Sequence, residues 1–265
     1  MKRNPFLLVT IHCLFILCLF TSLQGGQIKK TYSNKESLKL KAILGSCKII
    51  KSNDNTIHID VQYSFNENEY HAVFTELEDS LFLEEVFSVK DPVGTSAWII
   101  AVPADIKLFL SSSTGNIVVE GVKSKIKAET GTGAVEINKS RGVFDIESGM
   151  GSVHGTDVVI NGSSRFGSGM GQVYISIASS PDYNITVSSG MSDAILDYNG
   201  NPLKGCFEFI AKHGFGHIVS DVPFEKEEMT SDDHFQYDKK SFKVEDGNIP
   251  RIRIETGNGQ AKLIN

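Results

Sequence analysis

Two histidines, His213 and His217, flank Gly214, Phe215 and Gly216. Imidazoles four residues apart could hold a metal ion if a third ligand came near. That spacing faces one way on a helix, but these residues sit in a Gly-rich turn, so the cluster reads as a structural corner. Gly167, Ser168, Gly169, Met170 and Gly171 have the composition of a phosphate cradle. Such a cradle needs a following helix to present its amides, and here Val173 and Ile175 follow in strand alternation. Glu129 and Glu147 hold the same place in successive repeats, and paired carboxylates could serve a glycosidase or a Ca²⁺-dependent lyase. Lys127 beside them favours a solvated, charge-compensated face. Asp232, Asp233 and His234 read as a solvated loop. Asn161 and Asn184 begin glycosylation-type triplets that are too short to signify. The chain has neither a Gly-x-Ser-x-Gly elbow nor a His-Glu-x-x-His pair. No catalytic residue, cofactor site or metal site is assigned.

The elements around these residues are organised by a repeat. Ser112, Thr130, Ser148, Ser168 and Ser189 each open a Gly-rich turn, followed by further copies at His213 and Thr256. The steps between copies are 18, 18, 20, 21, 24 and 43 residues. A unit of this size signals stacked supersecondary structure. Strand alternation flanks each turn: Ile126, Ala128 and Thr130 against Lys125, Lys127 and Glu129, and Phe144, Ile146 and Ser148 against Asp145 and Glu147. After the turn come Val135 and Ile137, then Val173 and Ile175 in a later copy. Period two with one apolar face means half-buried strands.

The fold expected is all-β: a single-stranded right-handed parallel β-solenoid with coils of about 18–24 residues. Ser112, Thr130, Ser148, Ser168 and Ser189 would stack as an inward ladder whose hydroxyls satisfy one another. By register, His213 takes a ladder place. Gly115, Gly133, Gly151, Gly171, Gly216 and Gly259 would mark corners that need a positive φ or close packing. Residues 27–110 are less regular and read as an N-terminal cap with opening coils. Residues 111–265 carry the Gly-rich coils, with an irregular insertion near 221–245 read as an exposed loop. A β-sandwich is the competing fold, but it has no reason to repeat one motif at near-constant spacing.

Lys2 and Arg3, the uncharged apolar residues 5–20 and the small residues up to Gly26 match a secretory signal peptide cleaved near Gly25 or Gly26. An uncleaved anchor is the alternative. Export implies an oxidising compartment, and cleavage leaves Cys47 and Cys206. They lie 159 residues apart, so they either pair across one face of the fold or remain two buried thiols. Removing Lys2 and Arg3 takes the formal charge from −6 to −8, which gives no pull towards nucleic acid. At 40% hydrophobic and 22% charged, the 265 residues are neither a disordered tail nor a many-pass membrane protein.

The residues from Val102 and Pro103 through Gly115, Asn116, Ile117 and Gly121, then Ile126 to Ile137, resemble the bacterial "putative-adhesin" family. This is a domain of unknown function with recurrent Thr/Ser-Gly-x-Gly-x-Val-x-Ile units. The resemblance covers roughly residues 38–265, is strongest over 100–175, and departs at Ser192, at His213 and in 217–256. It implies an exported bacterial β-solenoid of the cell envelope and carries no catalytic residue to transfer. Two functions follow: a non-enzymatic surface or scaffold protein presenting an extended binding face, or a carbohydrate-active β-helix enzyme. The partners expected for the first are a glycan, the cell wall or another envelope protein, with self-association through the solenoid ends.

Overall fold

The computed structural model describes residues 25–244 and 249–265. The signal-peptide reading of residues 1–24 lies outside the described residues. Within them the chain is all strand and turn, without helix. The first third forms β1 (Gly26–Ser33), β2 (Ser37–Ala42), β3 (Gly45–Lys51), β4 (Thr56–Tyr63), β5 (Tyr70–Glu76), β6 (Ser80–Phe87) and β7 (Ser96–Val102). The Gly-rich middle forms β8 (Lys107–Ser112), β9 (Ile117–Glu120), β10 (Lys123–Thr130), β11 (Val135–Asn138), β12 (Arg141–Ser148) and β13 (Val153–Ile160). It continues through β14 (Ser164–Ser168), β15 (Val173–Ile177), β16 (Ile185–Ser189) and β17 (Ala194–Asp197). The last part forms β18 (Gly205–Lys212), β19 (His217–Val219), β20 (Lys226–Ser231), β21 (Gln236–Val244), β22 (Arg251–Thr256) and β23 (Gln260–Ile264).

Each repeat contributes two strands, and each strand pairs in parallel with its equivalent one repeat away. β8, β10, β12, β14 and β16 stack in one ladder. β9, β11, β13, β15 and β17 stack in the other. Equivalent inward residues then fall into columns: Leu40, Leu110, Ala128, Ile146, Phe166 and Val187 share one register. Ile117, Val135, Val153, Val173 and Ala194 share another on the facing ladder. These side chains are essentially fully buried and belong to one continuous core. Burying each large apolar side chain stabilises by about 1.5–3 kcal/mol.

The order of coils in space departs from the order in the chain at both ends. β22 lies between β16 and β18, and β23 between β17 and β19. This resolves the 43-residue step in the repeat: Thr256 pairs with Ser189 on one side and with Ala211 on the other. Ala211 therefore holds the place expected for His213. At the other end, β2 lies between β6 and β8, and β3 between β7 and β9. Antiparallel strands finish the stack, with β5 on β6, β4 and then β1 on β7, and β21 and then β20 on β18. The stretch read from sequence as an exposed loop is thus the β20–β21 hairpin. Charged residues on edge strands discourage pairing with another chain, and β20 carries Lys226, Glu227 and Glu228.

The ladder hydroxyls do not satisfy one another as expected. Each donates to a corner carbonyl of the preceding coil in space and accepts the N–H three residues on. Thr130 Oγ1 donates to Gly115 O at 2.9 Å and accepts from Gly133 N at 3.1 Å. Ser148 Oγ does the same with Gly133 O at 2.8 Å and Gly151 N at 2.9 Å. Ser112, Ser168 and Ser189 repeat the arrangement, and Thr256 joins them through Ser192 O.

The corner glycines follow from close packing, since none of the six has a positive φ. A Cβ on Gly151 would overlap the carbonyl of Gly133, which is backbone and has nowhere to move. Ser148→Ala strips the partners from two backbone groups and is expected to cost about 1–3 kcal/mol in urea unfolding. Gly151→Ala is expected to lower the urea midpoint further. Deleting residues 249–265 removes an interior coil and is expected to abolish cooperative unfolding measured by circular dichroism, where loss of a terminal coil would only shorten the stack.

Candidate functional site

Alternation places one residue outward beside every ladder hydroxyl. Lys41, Ser111, Glu129, Glu147, Gly167 and Ser188 occupy one register, one per coil. Five strand spacings separate the first from the last, about 24 Å. Ser111 and Ser188 are short and Gly167 has no side chain, so the row is low at three of its six places. The result is an open groove of about 830 Å³ floored by the corner glycines Gly131, Gly149 and Gly169.

The sequence pair Glu129 and Glu147 meets in this groove, directly opposite one another on β10 and β12. Both carboxylates are held by cations. Lys127 Nζ lies 2.8 Å from Glu129 and 3.5 Å from Asp145, and Arg165 lies 3.1 Å from Glu147. Hydrogen bonding to Glu129, then the charges of Glu129 and Asp145, hold the Lys127 ammonium above its ordinary range. The side chains of Glu129 and Glu147 are 47% and 44% exposed, so water reaches both. Neither carboxylate sits in a buried apolar pocket of the kind that houses a general acid. The groove can instead hydrogen-bond a polar ligand along its length.

Other expected residues are placed apart. Cys47 is buried on β3 and Cys206 is exposed on β18, and both are free thiols. They lie on opposite ladders near opposite ends of the stack, separated by seven coil steps of about 4.8 Å, far beyond the Cα separation a disulfide spans. Burial, then the charge of Glu85, pushes the Cys47 thiol well above its ordinary value, which makes it unreactive. His213 Nδ1 lies 2.9 Å from Asp238, off the ladder, while His217 pairs in register with Gln260 on the other ladder. Asp232 caps its own turn by accepting from the N–H groups of His234 and Phe235.

Two buried carboxylates escaped the sequence reading. Lys41 pairs with Glu84, which puts Glu85 beside Ala42, a ladder place without a hydroxyl. Glu85 Oε2 accepts from Ile43, Leu44 and Gly45 N at 2.7–3.0 Å. Its Oε1 accepts from Ser96 Oγ and from Trp98 Nε1. The available signal was Glu85 following Leu81 and Leu83 at period two, a charge on the inward face. Glu208 on β18 accepts from Arg251 at 2.7 Å and pairs with Lys239 at 3.2 Å. Burial pushes the Glu208 carboxyl up, but the hydrogen bonds from Arg251 and Lys239 outweigh it and hold the group below its usual value.

No family model matches the chain, and no curated protein matches it. Solved bacterial structures are similar to it along most of its length. A "putative cell adhesion protein" from Clostridium sporogenes is 17% identical, with 91% of this chain and 99% of that one covered and a TM-score of 0.38. A "putative adhesin" from Bacteroides fragilis is 11% identical, with coverage of 90% and 97% and a TM-score of 0.44. A "putative lipid binding protein" from Parabacteroides distasonis is 10% identical, with coverage of 91% and 98% and a TM-score of 0.44. At these identities and scores the likenesses carry no argument about what this chain does.

The Glu208 pairing has a pH consequence. A depressed folded-state pKa contributes stability above the unfolded carboxyl value of about 4.3 and loses it as pH falls through the folded value. The melting temperature of the native chain is therefore expected to drop more steeply below about pH 4.3 than that of Glu208→Gln. Circular dichroism melts across pH 2–7, roughly, would check this.

Proposed function

We propose that this chain is an exported, non-enzymatic cell-envelope or surface protein, adhesin-like or scaffolding, whose rigid stack presents an extended binding face. Its architecture on this reading is a right-handed parallel β-solenoid, the hand that parallel crossover connections almost always take. Residues 27–110 cap and open the solenoid, and the Gly-rich coils follow.

The observation that carries the reading is the groove over Lys41, Ser111, Glu129, Glu147, Gly167 and Ser188. It is open and follows one register of the stack, with polar or charged side chains at five of its six coil positions and Gly167 at the other. Such a surface suits an extended glycan, whose hydroxyls can hydrogen-bond Glu129, Glu147, Lys41 and Arg165 in series. Stacked coils hold these groups at a fixed spacing before any ligand arrives, so little conformational entropy is lost on binding.

The test is binding of the purified chain to a glycan and cell-wall array, with product analysis on every hit. Binding without turnover is expected, weakened at least tenfold by Glu147→Gln together with Arg165→Ala. Released oligosaccharide would overturn the non-enzymatic reading and turn attention to Glu129 and Glu147 as a catalytic pair. Binding that the double substitution leaves intact would remove the groove as the site.

A further inference from the structure

Beside the glycine floor runs a second column that the proposed glycan face does not use. Met150, Met170 and Met191 each sit between the two small residues of a corner, on three successive coils. Their stacking follows from the backbone on either side. Met150 N donates to Gly131 O at 3.0 Å and Met170 N to Gly149 O at 3.1 Å. Gly169 packs on Gly149, Gly190 on Gly169, and Gly171 on Gly151. The three side chains are 54%, 49% and 55% exposed. Register continues the column with Thr132 before Met150 and Asn258 after Met191, so the thioethers occupy three coils and polar residues bound them.

An exposed row of large apolar side chains gains nothing for the core, because none of the three reaches it. Thioether sulfur is a soft, uncharged ligand that selects Cu(I) and rejects hard or borderline ions. Neighbouring residues in the column start one strand spacing apart, about 4.8 Å. Methionine is unbranched with three rotatable bonds, so Met150 and Met191 can each lean towards Met170 and close on one ion. The flanking Gly149, Gly151, Gly169, Gly171 and Gly190 place no Cβ in the way. We propose that Met150, Met170 and Met191 form a trigonal three-thioether site for a single Cu(I) ion, built on the corner of the stack. Binding is ligation alone, with no change in oxidation state.

The test uses the full chain with Cys13→Ser, Cys18→Ser and Cys206→Ser, which removes the competing thiols other than buried Cys47. The chain is labelled with ¹³C at the methionine methyls and titrated with Ag(I), then without oxygen with Cu(I) against a chromophoric Cu(I) chelator. The five methionines also include Met1 and Met229, whose signals serve as internal references, Met229 lying on β20 outside the column. The signals of Met150, Met170 and Met191 are expected to move together and saturate at one equivalent, with the references unmoved and Zn(II) without effect. Met170→Leu, a surface change that should leave the urea midpoint in place, is expected to weaken Cu(I) retention at least tenfold, and Met229→Leu to leave it unchanged. Methyl signals unmoved at one equivalent, signals that move independently at higher equivalents, or retention unaffected by Met170→Leu would each overturn the site.

Discussion

The structure depends on one contact made again in each coil: a ladder hydroxyl that donates to the corner carbonyl of the coil beneath and accepts the amide of its own corner. Stacked strands bond through their own backbone, but a corner leaves peptide groups turned inward with no strand to meet them. Burying those groups unpaired is costly. The run from Ser112 to Thr256 closes them with a single short side chain per coil. It also explains the glycines, because the corners approach so closely that a Cβ on Gly133 or Gly151 would strike backbone oxygen.

Where the hydroxyls stop, the fold substitutes other groups. Ala42 cannot hold its corner, and Glu85 reaches in from the coil beyond to take its three amides. A buried carboxylate is tolerated there because its hydrogen-bond partners surround it, Trp98 and Ser96 included. At the far end Ala211 ends the ladder, and Phe207, Phe209 and Phe242 supply aromatic packing instead. Each exchanged coil, β2–β3 and β22–β23, lies between two others, so neither forms an end of the stack. Antiparallel strands take that place.

Among the described residues the buried side chains build this scaffolding, and the outward rows are where side chains change from coil to coil. Their spacing is the strand spacing and their chemistry changes coil by coil. Along one row acids and cations alternate between strands, as Lys127, Asp145 and Arg165 do. Along the corner the residue between the two small positions of each turn changes from coil to coil, and it is methionine on three adjacent ones. A rigid scaffold with variable outward positions can display a row of ligands that no short peptide would hold in line.

The all-β character, the inward and outward faces of residues 125–130 and 144–148, and the shared register of Glu129 and Glu147 were legible in the sequence. Each depends on local periodicity, and identical units bury their apolar face by stacking in register. The order of the coils was not legible, because an insertion of any length looks alike from sequence and only long-range pairing places Thr256 against Ser189 instead of after His213. Neither was the fate of the cysteines, which depends on how many coils separate them. Glu85 and Glu208 needed the tertiary structure for the same reason. Their partners come from distant segments, and a buried charge is decided by what surrounds it in space. Sequence alone determined the unit and its two faces; the order of the units and the chemistry across them were decided only when the chain closed on itself.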